Sequence, residues 1–258
     1  MRKAGLVTFL CAVLASGCLR MENTLTLKED GSGTFECTCG VPEQTLTQLK
    51  AVSRIEADLA RAGGDAPPPK GRNYVDLLLF APEEQVRNEL TALKKYGITL
   101  TLLKVDNRDA RRQVELAVSF QNLAEAAKSD VFKEYGFSLA KNHDGDYVLQ
   151  RPAPSKEKTE YLDFSKPDNL KLLSPLLGGF YVQVKVNTPS LILRTSAPSK
   201  STRTAIWTFD FDNKPSSFLA LQNEGMGIVF EGRGLKLPEV GIPATNSAQV
   251  VTADQKPK

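Results

Sequence analysis

The sequence predicts an α+β fold in which antiparallel hairpins form a sheet and two to four helices pack on one side of it, after a cleaved signal peptide. Short runs of alternating apolar and polar residues recur along the chain and are typical of strands with one buried face. Turn sequences such as Asp-Gly separate several of these runs, as hairpins require. Longer stretches with apolar residues at helical spacing indicate helices that cover the sheet.

The amino-terminal segment, residues 1–17, has the three-part layout of a secretory signal. A basic start at Met1–Lys3 precedes an apolar run over Ala4–Leu14, and small residues end the segment. The apolar run is shorter than the roughly 20 residues that a membrane-spanning helix needs. We therefore expect the segment to be removed by cleavage between Gly17 and Cys18.

Residues 18–150 are predicted to form an α+β region of hairpins and helices. Its first hairpin has a turn at Asp30–Gly33, and no Gly-Lys-Ser/Thr sequence follows the glycines, so a phosphate loop is not indicated. The further elements predicted from spacing are a helix over 43–62, a proline-rich loop over 65–71, a strand over Tyr74–Phe80, a helix from Pro82 to Gly97, alternating strands over 98–103 and 113–120, a helix over Leu123–Tyr135, and a hairpin that pairs 137–139 with 147–149.

The later part of the chain is predicted to be mostly β. Residues 151–166 are polar and contain proline, which indicates a linker or a long surface loop. Residues 167–234 would form a β region packed on the first region, with a short helix through Leu173 and three strands of one antiparallel sheet, 180–186, 206–211 and 226–230. Residues 235–258 lose periodicity, so we expect a disordered tail.

Charge excludes two classes of partner. The chain has 258 residues, of which 24% are charged, and a formal net charge of +3. Removal of the signal takes away Arg2 and Lys3 and leaves 31 basic and 30 acidic residues. Such a near-neutral chain lacks the basic face that phosphate binding needs, so we expect no nucleic-acid partner and no polybasic membrane patch.

Two cysteines remain in the body of the mature chain, Cys37 and Cys39. On a strand, residues two apart point to the same face, so these side chains would be neighbours. Core packing and a local disulfide in the oxidising export compartment are the leading interpretations, although a bridge over this spacing would be strained. A redox motif prefers two intervening residues, and a metal site needs more ligands than this chain offers. We expect no metal and no cofactor.

His143 is the single histidine of the chain, and Asp144 and Asp146 are its acidic neighbours. Because Asp-Gly between two alternating runs is first a hairpin turn, we predict a turn here rather than a metal loop or an acid–base pair. With the one histidine in a turn, a Ser–His–Asp or Cys–His arrangement is not indicated, and we predict no catalytic residues. Trp207 could be an exposed ligand platform, but its spacing favours the core.

The segment Leu14–Cys18 resembles the lipobox of bacterial lipoproteins. In that family the cysteine receives a diacylglycerol thioether, the signal is cut before it, and the new amino terminus is usually acylated. The commonest pattern has leucine where this chain has Ala15. The resemblance implies a membrane anchor on Cys18, with an ordinary secretory signal as the alternative. Leu19, in place of an aspartate, implies the outer membrane, with the body facing the periplasm or the cell surface.

The order of elements resembles bacterial lipoproteins with an LppM-like domain of unknown function. The resemblance is carried by Cys18, the Thr24–Leu27 strand, the Asp30–Gly33 turn and a late strand that contains Trp207, and it spans residues 18–232. It implies a lipoprotein of the cell envelope. It supplies no catalytic residues.

Two non-enzymatic functions follow from these observations. The leading prediction is a lipid-anchored envelope protein that binds a protein or another envelope component as an assembly factor. The alternative is a periplasmic carrier or binder of a lipid or other hydrophobic ligand, held between the helices and the sheet. The alternative requires an internal cavity, and a fully packed core would exclude it.

Overall fold

Two β-sheets and several short helices make up the part of the chain that the structure describes. The structure is a computed structural model, and it describes residues 19–47, 50, 74–153 and 178–241. The strands are β1 (Arg20–Leu27), β2 (Gly33–Pro42), β3 (Ile98–Arg108), β4 (Arg111–Phe120), β5 (Ser138–Lys141), β6 (Tyr147–Arg151), β7 (Tyr181–Asn187), β8 (Ile192–Thr195), β9 (Ser199–Lys200), β10 (Thr204–Asp210) and β11 (Met226–Phe230). The helices are α1 (Tyr74–Phe80), α2 (Glu83–Thr91), α3 (Leu123–Ala126), α4 (Asp130–Tyr135) and α5 (Ser217–Asn223), with a 3₁₀ helix at Ala92–Tyr96. This content is that of the α+β class, as predicted, but the described helices outnumber the two to four that the sequence predicted.

The larger sheet has seven strands in the order β3-β4-β2-β1-β7-β10-β9. Its neighbouring strands pair antiparallel, apart from β1 and β7, which run parallel. The β1–β2 and β3–β4 pairs confirm the predicted hairpins. The parallel pair makes the sheet mixed, because β7 is reached through a long connection rather than through a turn.

The second sheet has four antiparallel strands in the order β5-β6-β11-β8. The prediction that the three late strands share one sheet is therefore wrong, since β7 and β10 belong to the larger sheet and β11 belongs to the second. Every residue of β11 is buried. A strand that is covered on both faces has no alternation that identifies its partners. Strands from residues 18–150 and from residues 167–234 thus meet in both sheets.

One face of the larger sheet carries the core in two halves. Side chains of α1, α2 and α4 pack on β2, β3 and β4, and we call this the helix-covered half. Side chains of the second sheet and of α5 face β1 and β7, and we call this the sheet-covered half. Phe35 on β2 lies at the boundary and borders both halves.

Residues Tyr74–Phe80 form helix α1 and not the predicted strand. A short apolar run has no periodicity that separates a buried strand from a buried helix. Arg112, which is 9% exposed, lies at the end of this helix. Its Nε donates to the carbonyl oxygen of Leu78 at 2.9 Å, and its Nη2 donates to that of Ala81. A cation stabilises the carbonyl groups that end a helix.

Helix α2 follows the predicted pattern, and the predicted helix that comes after β4 does not. Val86 and Leu90 of α2 are buried, and Gly97 ends the 3₁₀ helix with a left-handed φ of 70°. The predicted helix over Leu123–Tyr135 is instead two helices, because Ser129 caps a new helix by accepting a hydrogen bond from the backbone of Phe132.

Strand β3 carries a bulge against β4 between Leu100 and Leu102. An extra residue in one strand reverses the inward and outward positions beyond it. Leu102, predicted to share a face with Leu100, is 47% exposed, whereas Leu103 is 9% exposed. The predicted alternation therefore holds only as far as Leu100.

Residues 235–241 pack on the second sheet, so the prediction of a disordered tail is wrong for this stretch. Leu237 and Val240 are buried. The backbones of Val240 and Leu139 exchange two hydrogen bonds of 2.8 Å, and Tyr147 Oη accepts a hydrogen bond from the backbone N–H of Leu237 at 2.9 Å. Single backbone contacts of this kind leave no periodic signal in a sequence.

Several predictions fall outside the described residues. They concern the signal with Cys18, most of the 43–62 helix (of which 43–47 and 50 are described and helical), the loop at 65–71, residues 154–166, the helix through Leu173, and residues 242–258. Among the helices that the structure does describe, none is long and apolar enough to cross a membrane.

Candidate functional site

Cys37 and Cys39 lie on β2 as free thiols, each 1% exposed. Burial raises the pKa of Cys37 to about 12, with neighbouring Cys39 as a further cause. Burial raises the pKa of Cys39 to about 11, and the Arg112 guanidinium acts in the opposite direction. Both thiols are therefore protonated at neutral pH and are weak nucleophiles. In the structure the two cysteines pack in the core and are not bridged.

His143, Asp144 and Asp146 belong to the turn between β5 and β6, as predicted. Asn142 Oδ1 accepts hydrogen bonds from the backbone N–H groups of Asp144 at 3.0 Å and of Asp146 at 2.9 Å. Asp146 Oδ1 in turn accepts one from the backbone N–H of Gly232 at 3.1 Å. The His143 side chain is 89% exposed and lies 3.1 Å from Asp144 Oδ1. These contacts give the three residues a structural role in the turn.

The remaining candidates from the sequence are Trp207, a metal site and the cleavage site at Gly17 and Cys18. Trp207 is 6% exposed and belongs to the core, as its spacing predicts. Within the described ranges, no group of three or more His, Cys, Asp or Glu side chains could hold a metal ion. Gly17 and Cys18 lie outside those ranges, so lipidation stays a prediction.

The inward face of β1 lines two cavities in the protein. Alternate residues of a strand share a face, which places Met21, Asn23 and Leu25 together. The strand register sets Asn23 opposite Cys37 on β2 and opposite Val184 on β7. Asn23 is therefore a polar side chain within an otherwise apolar patch of the sheet.

The first cavity has a volume of about 400 Å³ and lies beside Leu25, where α3 and α4 meet β5 and the 239–241 segment. The apolar residues that line it include Leu25, Leu123, Phe132, Leu139, Leu149 and Val240. Lys128 and Lys133, whose side chains are each 62% exposed, lie at its rim. Its volume is within the usual range for pockets that bind small molecules.

The second cavity has a volume of about 240 Å³ and lies between β1 and β7 on one side and the second sheet with α5 on the other. The apolar residues that line it include Met21, Phe35, Val182, Val184, Leu221 and Met226. Arg151 and Lys185 are the charged residues along its described walls, and both are basic.

Leu25 and Phe137 line both cavities. The two spaces are therefore neighbours that these two side chains separate.

Asn23 is the uncharged polar residue among those that line the second cavity, beside the basic Arg151 and Lys185. The residue is 6% exposed, and its Oδ1 is buried with no hydrogen-bond partner among the described residues. An unsatisfied buried acceptor costs about 1–3 kcal/mol of stability, so such an atom calls for an explanation. A ligand that donates a hydrogen bond inside the cavity would supply the missing partner.

Sequence reasoning did not locate this site. One signal was present: Asn23 is a polar residue at an inward position of a strand whose neighbouring inward positions, Met21 and Leu25, are apolar. Phe137 and Arg151 carry no comparable signal, because their positions depend on the pairing of β5 with β6 and of β6 with β11.

Among solved structures, this chain is similar to the folded domain of the LppM protein from Mycobacterium tuberculosis, determined by NMR. The two share 10% sequence identity and a TM-score of 0.38, over 83% of this chain and 91% of the LppM domain. No protein-family model matches the sequence, and no curated protein matches it.

Proposed function

We propose that this protein is a lipid-anchored component of the cell envelope that binds an amphiphilic ligand between its two sheets. The observation that carries the proposal is the pair of adjoining apolar cavities, of about 400 and about 240 Å³, which share Leu25 and Phe137. Apolar walls favour the transfer of an acyl chain out of water, by about 0.8 kcal/mol for each buried methylene. The cavity that the hydrophobic-ligand alternative requires is therefore present.

An anionic head group fits the charges around the cavities. Four of the lining residues are basic and one, Glu239, is acidic. Lys128 and Lys133 at the rim of the first cavity form exposed ion pairs with Glu125 and Asp130. Such pairs contribute about 0–1 kcal/mol, so they exchange readily for pairing with a ligand carboxylate or phosphate.

The assembly-factor function has weaker support from the described surface. Its large exposed apolar side chains are Leu102, Leu191 and Leu193. Leu102 lies on the larger sheet and the other two lie at β8, and scattered leucines of this kind do not define an interface. A binding role rather than catalysis is also part of the proposal, since the thiols are buried and His143 belongs to a turn.

The anchor would hold the cavities close to the membrane. The backbone N–H of Tyr181 donates to the carbonyl oxygen of Leu19 at 2.8 Å, so the chain joins the sheet one residue after Cys18. Met21 lines the second cavity. Three extended residues span at most about 11 Å, which limits the distance between the Cα atoms of Cys18 and Met21.

Displacement of a fluorescent fatty acid measures the proposed binding. The full chain with Cys18→Ser, which removes the attachment site and the need for detergent, would be titrated with cis-parinaric acid and then with stearate. We expect saturable fluorescence that stearate displaces. Ala127→Trp, which places an indole in the first cavity, should weaken binding at least about tenfold, equivalent to about 1.4 kcal/mol.

Ala92→Trp is the matched control, because Ala92 is exposed on the 3₁₀ helix and does not line either cavity. Equal loss of binding in both variants would point to a general surface effect. Absence of displaceable binding in the unsubstituted cavity would overturn the ligand proposal.

Metabolic labelling measures the anchor separately. Cells that express the wild-type chain or Cys18→Ser would be grown with a clickable palmitate analogue, and their membranes would be fractionated. We expect label on the wild-type chain alone, in the outer-membrane fraction. An unlabelled, soluble wild-type chain would mean an ordinary secreted protein.

A further inference from the structure

Asn23 is a neutral polar residue among the apolar side chains of β1 and β7 that line the second cavity. Its neighbours along β1 on the same face are Met21 and Leu25, and Val184 lies beside it on β7. Its Oδ1 is buried and has no hydrogen-bond partner among the described residues. A fully saturated acyl chain would leave that oxygen unpaired after binding and would also remove any water that reached it.

We propose that Asn23 is a specificity-determining residue, and that the preferred ligand is an amphiphile whose apolar chain carries a hydroxyl or amide N–H that donates to Asn23 Oδ1. This inference rests on the proposed ligand function and deepens it. A site built to pair a donor within an apolar environment rejects the analogue that lacks the donor, because the acceptor of the site is then left buried and unpaired. The ligand class is thus a hydroxylated fatty acid or an amide-bearing lipid.

The placement of Asn23 also limits where the donor lies along the ligand. Arg151 is at the end of β6 and pairs in register with Met226, while Asn23 is on the opposite sheet. A head group near Arg151 and a donor at Asn23 would be separated by the distance across the cavity. A donor in the middle of the chain fits this arrangement, whereas a donor beside the head group or at the far end of a long chain does not.

A matched set of ligands tests this inference. Stearate and hydroxystearates with the hydroxyl near the head group, at mid-chain or at the far end would compete for cis-parinaric acid on the full chain with Cys18→Ser. We expect the mid-chain hydroxystearate to bind about tenfold more tightly than stearate. Asn23→Leu should abolish this preference while retaining stearate binding.

A second variant covers the case in which leucine alters the cavity. Asn23→Thr keeps an oxygen acceptor on a β-branched residue that suits a strand, and it should retain part of the preference. Thermal unfolding of both variants checks that they fold. Asn23→Leu should raise the melting temperature of the ligand-free protein, because it replaces an unpaired polar atom by apolar contact.

The outcomes separate this inference from the proposed function. If neither stearate nor any hydroxystearate displaces the probe, the ligand function itself fails. If stearate and every hydroxystearate bind equally, or if Asn23→Leu keeps the preference, the cavity binds acyl chains but Asn23 does not select among them. Either of the latter two results would overturn the inference and leave the proposed function standing.

Discussion

The two halves of the inner face of the larger sheet are filled to very different extents. In the helix-covered half, a void of about 20 Å³ remains among residues of α1, α2, α4 and the strands. In the sheet-covered half and beside it, cavities of about 400 and about 240 Å³ remain. The void behind the helices holds about one water molecule, whereas the two larger cavities have room for a ligand. A further pocket of about 390 Å³ is lined by residues of α1 and α2 and by Ala81 and Pro82, and no strand residue lines it.

Side-chain shape accounts for part of this difference. Phe132 of α4 meets Phe120 edge-to-face with ring centroids 5.6 Å apart, and it meets Phe35 at 6.4 Å. Such aromatic contacts bring large side chains into the space between helix and sheet. The second cavity is lined instead by narrow side chains such as Val182 and Val184. Two facing sheets lie about 10 Å apart, and valines do not span that distance.

The largest expected effect compares the same substitution in the two halves. Leu90→Ala removes a side chain that is 3% exposed from the helix-covered half, and Leu25→Ala removes one that is 4% exposed from the wall of both cavities. We expect Leu90→Ala to lower the free energy of unfolding by about 4 kcal/mol and Leu25→Ala by about 2 kcal/mol, since Leu25 already lacks neighbours on one side. Urea denaturation of both variants measures the difference.

A saturating ligand sharpens this comparison. Stearate should raise the stability of the wild-type chain and leave the loss caused by Leu90→Ala unchanged. If the two substitutions lowered the free energy of unfolding equally in the absence of ligand, the sheet-covered half would be as well packed in solution as the helix-covered half.

A smaller effect concerns the boundary between the halves, where Cys37 lies opposite Asn23. Burial raises the pKa of this thiol from its ordinary value of 9.0 to about 12. Because the folded-state pKa is the higher one, the stabilisation is complete below pH 9 and is lost as the pH rises from 9 towards 12. Between pH 8 and pH 10, the free energy of unfolding of the wild-type chain should therefore fall by about 1.4 kcal/mol more than that of Cys37→Ala.

Unfolding in urea at the two pH values measures this loss, and the Cys37→Ala variant corrects for lysine and tyrosine titration. Alkylation by iodoacetamide gives an independent reading: the native thiol should resist it at pH 8 and react once the chain unfolds. Rapid alkylation of the native protein would show that water enters the cavity wall as far as β2.

The sequence allowed prediction of those parts of the molecule where one local rule decides the structure. The Asp144-Gly145 turn, the Gly97 helix end and the buried face of α2 are of this kind. It did not allow prediction of α1, because a run of seven residues that is apolar except for Asp76 carries no usable period, or of Leu102, because a bulge changes the parity of β3. The cavities could not be predicted from the sequence for a different reason.

Those cavities depend on which strands meet across the core. The parallel pairing of β1 with β7 joins residues more than 150 positions apart, and the pairing of β6 with β11 brings Arg151 to Met226. Neither pairing follows from local spacing. Asn23 was visible as a polar residue at an inward position, but its meaning depends on the space in front of it.

The smallest expected effect lies in the hairpin of the helix-covered half. Asp109 and Ala110 form the β3–β4 turn with φ values of 53° each. A left-handed conformation costs an L-residue roughly 1–2 kcal/mol and costs glycine almost nothing, while glycine loses more entropy on folding. Ala110→Gly should therefore stabilise the protein by about 0.5–1 kcal/mol in urea denaturation, whereas Ala92→Gly, on the 3₁₀ helix, should destabilise it by about 1 kcal/mol. The affinity for stearate should be unchanged in Ala110→Gly, since this hairpin does not line either cavity. A change in affinity of more than about threefold would show that the helix-covered half affects ligand binding in the cavities.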